Sequence, residues 1–395
     1  MAISAIFTLI LALGSTALCI ALLKPVAARF GLLDHPDHRK NHDGAIPQIG
    51  GIAIWIAFAI CLLFIGVTVK LAVLLLSGGL LMVIGAVDDA KDLPPQFRLV
   101  LHIGAALIVS VFGGVVVQTL GDLVIPGFDI DLGLLAIPFT VFAVVAMINA
   151  TNMSDGLDGL CGLQLIIPLV GLAVLSGLSN DQEHFLPLLA ICGCLLGFLF
   201  FNLRTPWSGR ATVFLGDAGS NFLGLLLAWF LIDMSQGENA VLQPVAVLWF
   251  ALLLIYDTLE VVARRMIRGK SPFSADREHL HHVFLLARFT PTETVFTMGG
   301  ITLVGVLIGM STAFISIPDS VLFAAFILFG VLFLRWIFHT WSVMRFLYRS
   351  ICRRSGERRS RQTEFWDGED RRAGVDRRDR ATAVRRESDR RVDET

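Results

Sequence analysis

Adjacent aspartates interrupt a long apolar stretch in the run Gly85-Ala86-Val87-Asp88-Asp89-Ala90-Lys91-Asp92. Neighbouring carboxylates repel, so one of them resists ionisation unless a cation or basic group lies close. The pair suits metal binding, phosphate positioning or proton abstraction, against the plainer reading of an acidic helix end. A second block, Asn149-Ala150-Thr151-Asn152-Met153-Ser154-Asp155-Gly156-Leu157-Asp158-Gly159-Leu160, holds closely spaced oxygen donors with no lysine or arginine to neutralise them. Such a set fits a hard cation such as Mg²⁺, which shares substrate phosphates; a capped polar turn is the alternative. The third block is Phe214-Leu215-Gly216-Asp217-Ala218-Gly219-Ser220-Asn221. Its aspartate opens an apolar run, either as a helix N-cap or as a metal carboxylate beside an aromatic that stacks a base. The fourth, 264–292, brings Arg264, Arg265, His279, His281 and His282 into one polar loop, a good receptor for a diphosphate. Zinc is disfavoured there, because no cysteine or second cluster completes a site. Asp257 reads as a site wall, and Glu260 as an i,i+4 partner of Arg264. His102, His339 and the cysteines read as structural residues.

The elements that must carry these blocks are membrane helices. The chain has 395 residues, of which 55% are hydrophobic and 16% charged. Its mean hydropathy is +0.72. Apolar runs of about 20 residues recur, long enough to cross about 30 Å of hydrocarbon, and unpaired backbone groups in lipid require that they be helices. The expected fold class is therefore all-α and polytopic, with eleven spans near 2–23, 49–69, 71–87, 99–119, 133–150, 160–178, 186–203, 213–233, 241–263, 293–315 and 319–341. The first is expected to be a retained span and not a cleaved signal peptide. Basic residues such as Lys24, Arg29, Arg98, Arg204 and Arg264 fall in loops on one side, whereas the other side holds only Lys70. That bias puts the C-terminus inside and the N-terminus outside. All four blocks then fall on the cytoplasmic face. Residues 1–344 form the expected membrane domain. The tail 345–395, rich in arginine doublets beside acids, has too little apolar surface to fold and is expected to be disordered.

Together the four blocks resemble the polyprenyl-phosphate N-acetylhexosamine-1-phosphate transferase family. The likeness runs over about residues 25–300 and includes Arg39-Lys40, Ile46-Pro47, Gly50-Gly51 and Ser271-Pro272-Phe273-Ser274-Ala275-Asp276-Arg277. It implies attack by the phosphate of undecaprenyl phosphate on the β-phosphate of a UDP-sugar, releasing UMP, at the bacterial inner membrane. By the same resemblance Asp217 matches a metal ligand, with Asn152 closest to a second ligand position. Asp88 matches the aspartate that orients or deprotonates the lipid phosphate, supported by Asp89. Asp155 and Asp158 match the nucleotide-sugar lining, Phe214 an aromatic against uracil, and Asn202 a site wall. His279, His281 and His282, with Arg265 nearby, match the diphosphate region. The implied cofactor is Mg²⁺, with Mn²⁺ as a substitute. The implied substrates are UDP-GlcNAc, or another N-acetylated UDP-sugar, and undecaprenyl phosphate. Nucleic acid is not an expected partner, and a homodimer is left open. The implied pathway step is the first membrane step of O-antigen or common-antigen polysaccharide synthesis.

Two other classes compete. An ion-coupled transporter requires polar groups deep in the spans and inverted repeats, and neither is visible. A CDP-alcohol phosphotransferase requires an alanine-arginine pair after Asp-Gly, which Asp155-Gly156-Leu157-Asp158-Gly159 lacks.

Overall fold

The computed structural model describes residues 2–34, 44–205, 209–238, 240–267, 269 and 279–354, with 341–354 as backbone alone. Arg39-Lys40, the Ser271–Arg277 run and the tail from 355 onward lie outside the described residues. Helices dominate: α1 (Ala2–Leu23), α2 (Gly50–Ile65), α3 (Val69–Lys91), α4 (Pro95–Phe112), α5 (Ala136–Ser154), α6 (Leu160–Leu178), α7 (Gln182–Asn202), α8 (Gly216–Asp233), α9 (Pro244–Phe250), α10 (Leu252–Ile267), α11 (Leu280–Leu286), α12 (Pro291–Ser311) and α13 (Asp319–Arg354). Two short antiparallel strands, β1 (Leu33–Asp34) and β2 (Ile46–Pro47), pair Leu33 with Pro47 and Asp34 with Ile46.

Local chemistry sets the helix ends. Thr68 caps α3 through Leu71 N–H, and Thr290 with Glu293 forms a reciprocal capping box on α12. Proline opens α4, α9 and α12, where a missing N–H costs nothing. Among the described residues, eight helices are long and apolar enough to cross a bilayer, or nine if α9 and α10 form one span. Helices stand at every expected position, but two of them fall short by this measure. α2 stops after 16 residues, at Gly66 with φ +110°. α8 begins with the polar run Gly216–Asn221 and is buried on all sides, so packing rather than lipid selects its residues. The expected 241–263 span is bent by 74° between α9 and α10. No proline or glycine marks the bend in the sequence; α9 packs on α12 at Gly305 and Gly309, while α10 turns toward α5. The chain divides into compact units between Leu334 and Arg335. In the second unit α13 continues to Arg354, since no glycine or proline stops it before Gly356.

α8 is the hub of the first unit, in contact with α2, α3 and α5. Its small residues let neighbouring backbones approach: a Cβ on Gly85 of α3 would collide with the backbone of Asp217 and Ala218, and one on Gly51 of α2 with that of Gly219. At the opposite end, Lys70 Nζ lies 2.9 Å from Asp233 Oδ1. His184 there bridges Asp233 (3.0 Å) and Asp181 (2.6 Å). α3 and α8 are therefore tied near both ends, with α7 joined at one.

Gly85→Val should overpack the α3–α8 contact and cost about 1–3 kcal/mol of stability. Thermal unfolding of the detergent-solubilised chain measures it; an unchanged midpoint would mean the two backbones have room to part.

Candidate active site

α3 ends with its two aspartates on different faces. Asp88 is buried, its Oδ1 accepting from Leu93 N–H and its Oδ2 from Arg98 Nη1, both at 2.6 Å. A sharp reversal makes this geometry possible. Asp92 takes a left-handed conformation with φ 50°, Pro94-Pro95 starts α4, and Arg98 returns from the first turn of α4 to the end of α3. Asp89 instead faces α8 and accepts the N–H groups of Asp217 (3.0 Å) and Ala218 (3.3 Å). It thus caps, from another helix, donors that α8 cannot satisfy itself, at the end where the helix dipole favours an anion. A side chain at Gly216, whose φ is +73°, would strike that carboxylate.

Asp217 sits in the first turn of α8. Its Oδ1 accepts from Asn152 Nδ2 at 2.7 Å, and its Oδ2 lies 3.4 Å from Arg98 Nη1. Asn152, from the last turn of α5, also donates to Ser220 Oγ at 2.9 Å. Asn152 therefore presents its amide N–H to Asp217 and holds that carboxylate in place. Arg98 joins Asp88 to Asp217, carboxylates from two different helices. The side chains of Arg98 and Asp217 remain 33% and 31% exposed, so the cluster opens to solvent on one side. In the sequence Arg98 signals only topology. The one hint of its role is its place, one turn beyond the Pro-Pro reversal that follows Asp88-Asp89.

The turn between α5 and α6 supplies the next wall. Asp155 keeps an open side but is otherwise ringed by protein; burial, then the charges of Asp217 and Asp158, push its carboxyl up to about 7. Asp158 is engaged within the protein, its Oδ2 accepting from Arg204 Nε (2.7 Å) and Ala211 N–H (3.1 Å). Asn202 is buried and spends both ends of its amide on backbone, accepting from Gly159 N–H and donating to Val213 C=O, each at 2.8 Å. These two residues shape the walls by tying the α5–α6 turn to the α7–α8 loop. Phe214 continues that loop beside β2, donating its N–H to Pro47 C=O (2.8 Å) and accepting from Gly50 N–H (2.9 Å).

The histidine block closes a further side. Asp257 of α10 accepts from Leu280 N–H at 2.7 Å and lies 3.1 Å from His279 Nδ1, which fixes the start of α11. The His279 and His281 rings are parallel, with centroids 5.8 Å apart, and His282 lies 4.2 Å from His281. His281 is buried against Gly156, where a Cβ would come within 2.5 Å of its ring. The block thus meets the turn that bears Asp155. Burial, then the neighbouring His282, lower the His281 imidazole to about 3, so it is neutral at physiological pH. Arg265 is buried near the end of α10, and Arg264 pairs with Glu260 as expected. His102 differs from expectation: both its ring nitrogens are buried with no hydrogen-bond partner among the described residues. His339 is exposed, and Cys61, Cys161, Cys192 and Cys194 are buried free thiols.

Residues 71–235 match the family described as glycosyl transferase family 4. That stretch carries Asp88, Asp89, Arg98, Asn152, Asp155, Asp158, Asn202, Phe214 and Asp217; Arg265 and the histidines lie beyond it. Over 345 residues the chain is 33% identical to the undecaprenyl-phosphate alpha-N-acetylglucosaminyl 1-phosphate transferase of Pasteurella multocida, covering 87% of this chain and 96% of that relative. The chain belongs to this family. The enzyme of the same name from Haemophilus influenzae is 32% identical over 84% of this chain and 94% of its own length. That from Escherichia coli K12 is 31% identical over 85% and 91%. The cluster around Asp217 is where charged groups from α3, α4 and α8 and the Asn152 amide of α5 converge.

Because Asp155 titrates near 7 in the fold against an ordinary 3.8, unfolding releases its proton, and stability falls as pH rises from about 4 to 7. Asp155→Asn should remove that slope, melting above the parent at pH 8 and level with it at pH 4. The same offset at both pH values would contradict the assignment.

Proposed function

We propose that this chain transfers N-acetylglucosamine 1-phosphate from UDP-GlcNAc to undecaprenyl phosphate, giving undecaprenyl-diphospho-GlcNAc and UMP. One observation carries the reading: Arg98 couples Asp88 to Asp217 in a solvent-open cluster, within a chain whose relatives are named for that transfer. Phosphoryl transfer asks little covalent chemistry of a protein and depends on neutralising charge and aligning the reacting oxygens. The acceptor phosphate is already an anion at neutral pH, so it needs placement more than deprotonation. Arg98 is the group suited to receive it, with Asp88 fixing the guanidinium. Asp155 and the α11 histidines border the space left for the nucleotide sugar, and neutral His281 leaves charge pairing there to arginine.

Mg²⁺ fits the donor chemistry as a shared ion, not as a caged one. Among the described residues no three His, Cys, Asp or Glu side chains form a metal cage. Mg²⁺ is nevertheless commonly bound by one or two carboxylates plus substrate phosphates. Asp217, with Asn152 or Asp155 beside it, would hold it. When bound, the ion would offset diphosphate charge as the leaving UMP departs. Asn152 keeps the Asp217 carboxylate turned toward the opening, and Asp89 fixes the helix end from which Asp217 projects.

The loop charges support eleven crossings, with the site on the cytoplasmic face of a bacterial inner membrane and the N-terminus outside. α2, α8 and the bent α9–α10 pair complete that count. Such a site suits the first membrane step of an O-antigen or common-antigen type of polysaccharide. Another N-acetylated UDP-sugar is the nearest alternative donor.

Purified chain with radiolabelled UDP-GlcNAc, undecaprenyl phosphate and Mg²⁺ should release UMP and yield labelled lipid, with UDP-GalNAc run in parallel. Arg98→Ala and Asp217→Ala should each lower turnover by about 100-fold or more, the scale of removing one positioned charge-stabilising group, at equal membrane levels. Near-parental turnover in either variant would overturn the assigned roles.

A further inference from the structure

A cavity of about 390 Å³ lies away from the aspartate cluster, between the end of α1, the turn Ala27–Phe30, the start of α2 and α3. Its size falls in the range of small-molecule sites, roughly 300–1,000 Å³. Its walls are apolar, with Phe30, Ile52 and Met82 among them, and its floor is made shallow-sided by the small residues Ala86 and Ala90 of α3. Gly31 lies beside that floor, where a Cβ would be in ordinary contact with the Ala90 methyl at 3.8 Å. The one charged residue that lines the cavity is Lys91, at the end of α3. Lys24 and Arg29 flank lining residues Leu23 and Phe30, and both are exposed. None of these three cations is paired with an acid among the described residues. A slot for hydrocarbon lined by one cation, with two more exposed cations on residues adjoining its lining, at the ends of membrane helices, is complementary to one class of molecule.

We infer that this groove binds one acyl chain of an anionic phospholipid, whose phosphate is held by Lys91, Lys24 and Arg29. Charge at the rim selects the headgroup, and apolar burial supplies the remaining attraction. The polyprenyl acceptor is disfavoured as occupant, because Asp88 turns from the opposite side of α3 toward Arg98 and Asp217. The site therefore stands apart from the transfer reaction and does not depend on it.

Native mass spectrometry of the delipidated full-length chain tests the inference, with dioleoylphosphatidylglycerol or dioleoylphosphatidylcholine added back. One phosphatidylglycerol per chain should be retained at least about tenfold better than phosphatidylcholine, as expected if two or more rim charges each contribute about fivefold, or ~1 kcal/mol. Ala86→Trp, which fills the floor, should abolish that adduct. The exposed-residue variant Lys24→Gln/Arg29→Gln/Lys91→Gln should weaken it by more than tenfold, and it decides the matter alone if the tryptophan variant does not fold. Equal retention of the two lipids, an adduct insensitive to the triple variant, an adduct that persists in a folded Ala86→Trp chain, or displacement by undecaprenyl phosphate would each overturn it.

Discussion

The start of α8 against the end of α3 is the contact on which the site is built. Gly85 and Ala218 bring the two backbones together closely enough for Asp89 to reach the exposed N–H groups of α8. Neither element would suffice alone. A larger residue at 85 would hold the helices apart, and without a carboxylate at 89 the first turn of a buried helix would carry unsatisfied donors, a cost of about 1–3 kcal/mol each. One of the two adjacent aspartates is thereby committed to holding the partner helix. Asp88 is left on the face that looks toward Arg98 and the opening.

The electrostatics follow from that division. Asp88 and Asp217 come from two helices and share the Arg98 guanidinium, Asp155 lies close enough to feel the charge of Asp217, and Arg204 answers Asp158 farther out. Carboxylates gathered with too few cations in a partly desolvated space repel one another, as the raised titration of Asp155 records. An arrangement of this kind is stable as scaffold only because hydrogen-bond donors from Leu93, Asn152 and the start of α8 take up part of the charge. What remains uncompensated faces the opening, where a cation and a substrate bearing phosphates would meet it.

Much of this was legible in the chain itself, and the limits have physical causes. Apolar runs located the helices because lipid imposes length and composition directly, and polar residues at one end of those runs marked the site. The blocks bearing Asn152, Asp155, Asp217 and the histidines stand out in the sequence, whereas Asn152 beside Asp217 is what the family resemblance implies and the histidines beside the Asp155 turn are a finding of the structure. Arg98 escaped notice because its meaning depends on a chain reversal at Asp92 and Pro94-Pro95, which brings it back to α3. Asp89, Asp158 and Asn202 have the residue types of a site, yet each is engaged by backbone or by arginine. Only tertiary placement tells a ligand from a brace. The α9–α10 bend has no local residue to announce it, being fixed by two different packing partners. α8 reads as a span in the sequence, but nothing there shows that packing on every side makes it the axis of the bundle.

The charged knot of Lys70, Asp233, His184 and Asp181 lies at the far end of the same two helices that meet at Asp89. A rod fastened at top and bottom can neither slide nor twist past its neighbour unless one fastening gives way. The α3–α8 pair thus behaves as a stationary jaw. Any widening of the cleft for a bulky sugar nucleotide would then fall to the opposing side, where α11 packs on α12, meets α10 through Asp257 and meets the Gly156 turn through the His281 imidazole.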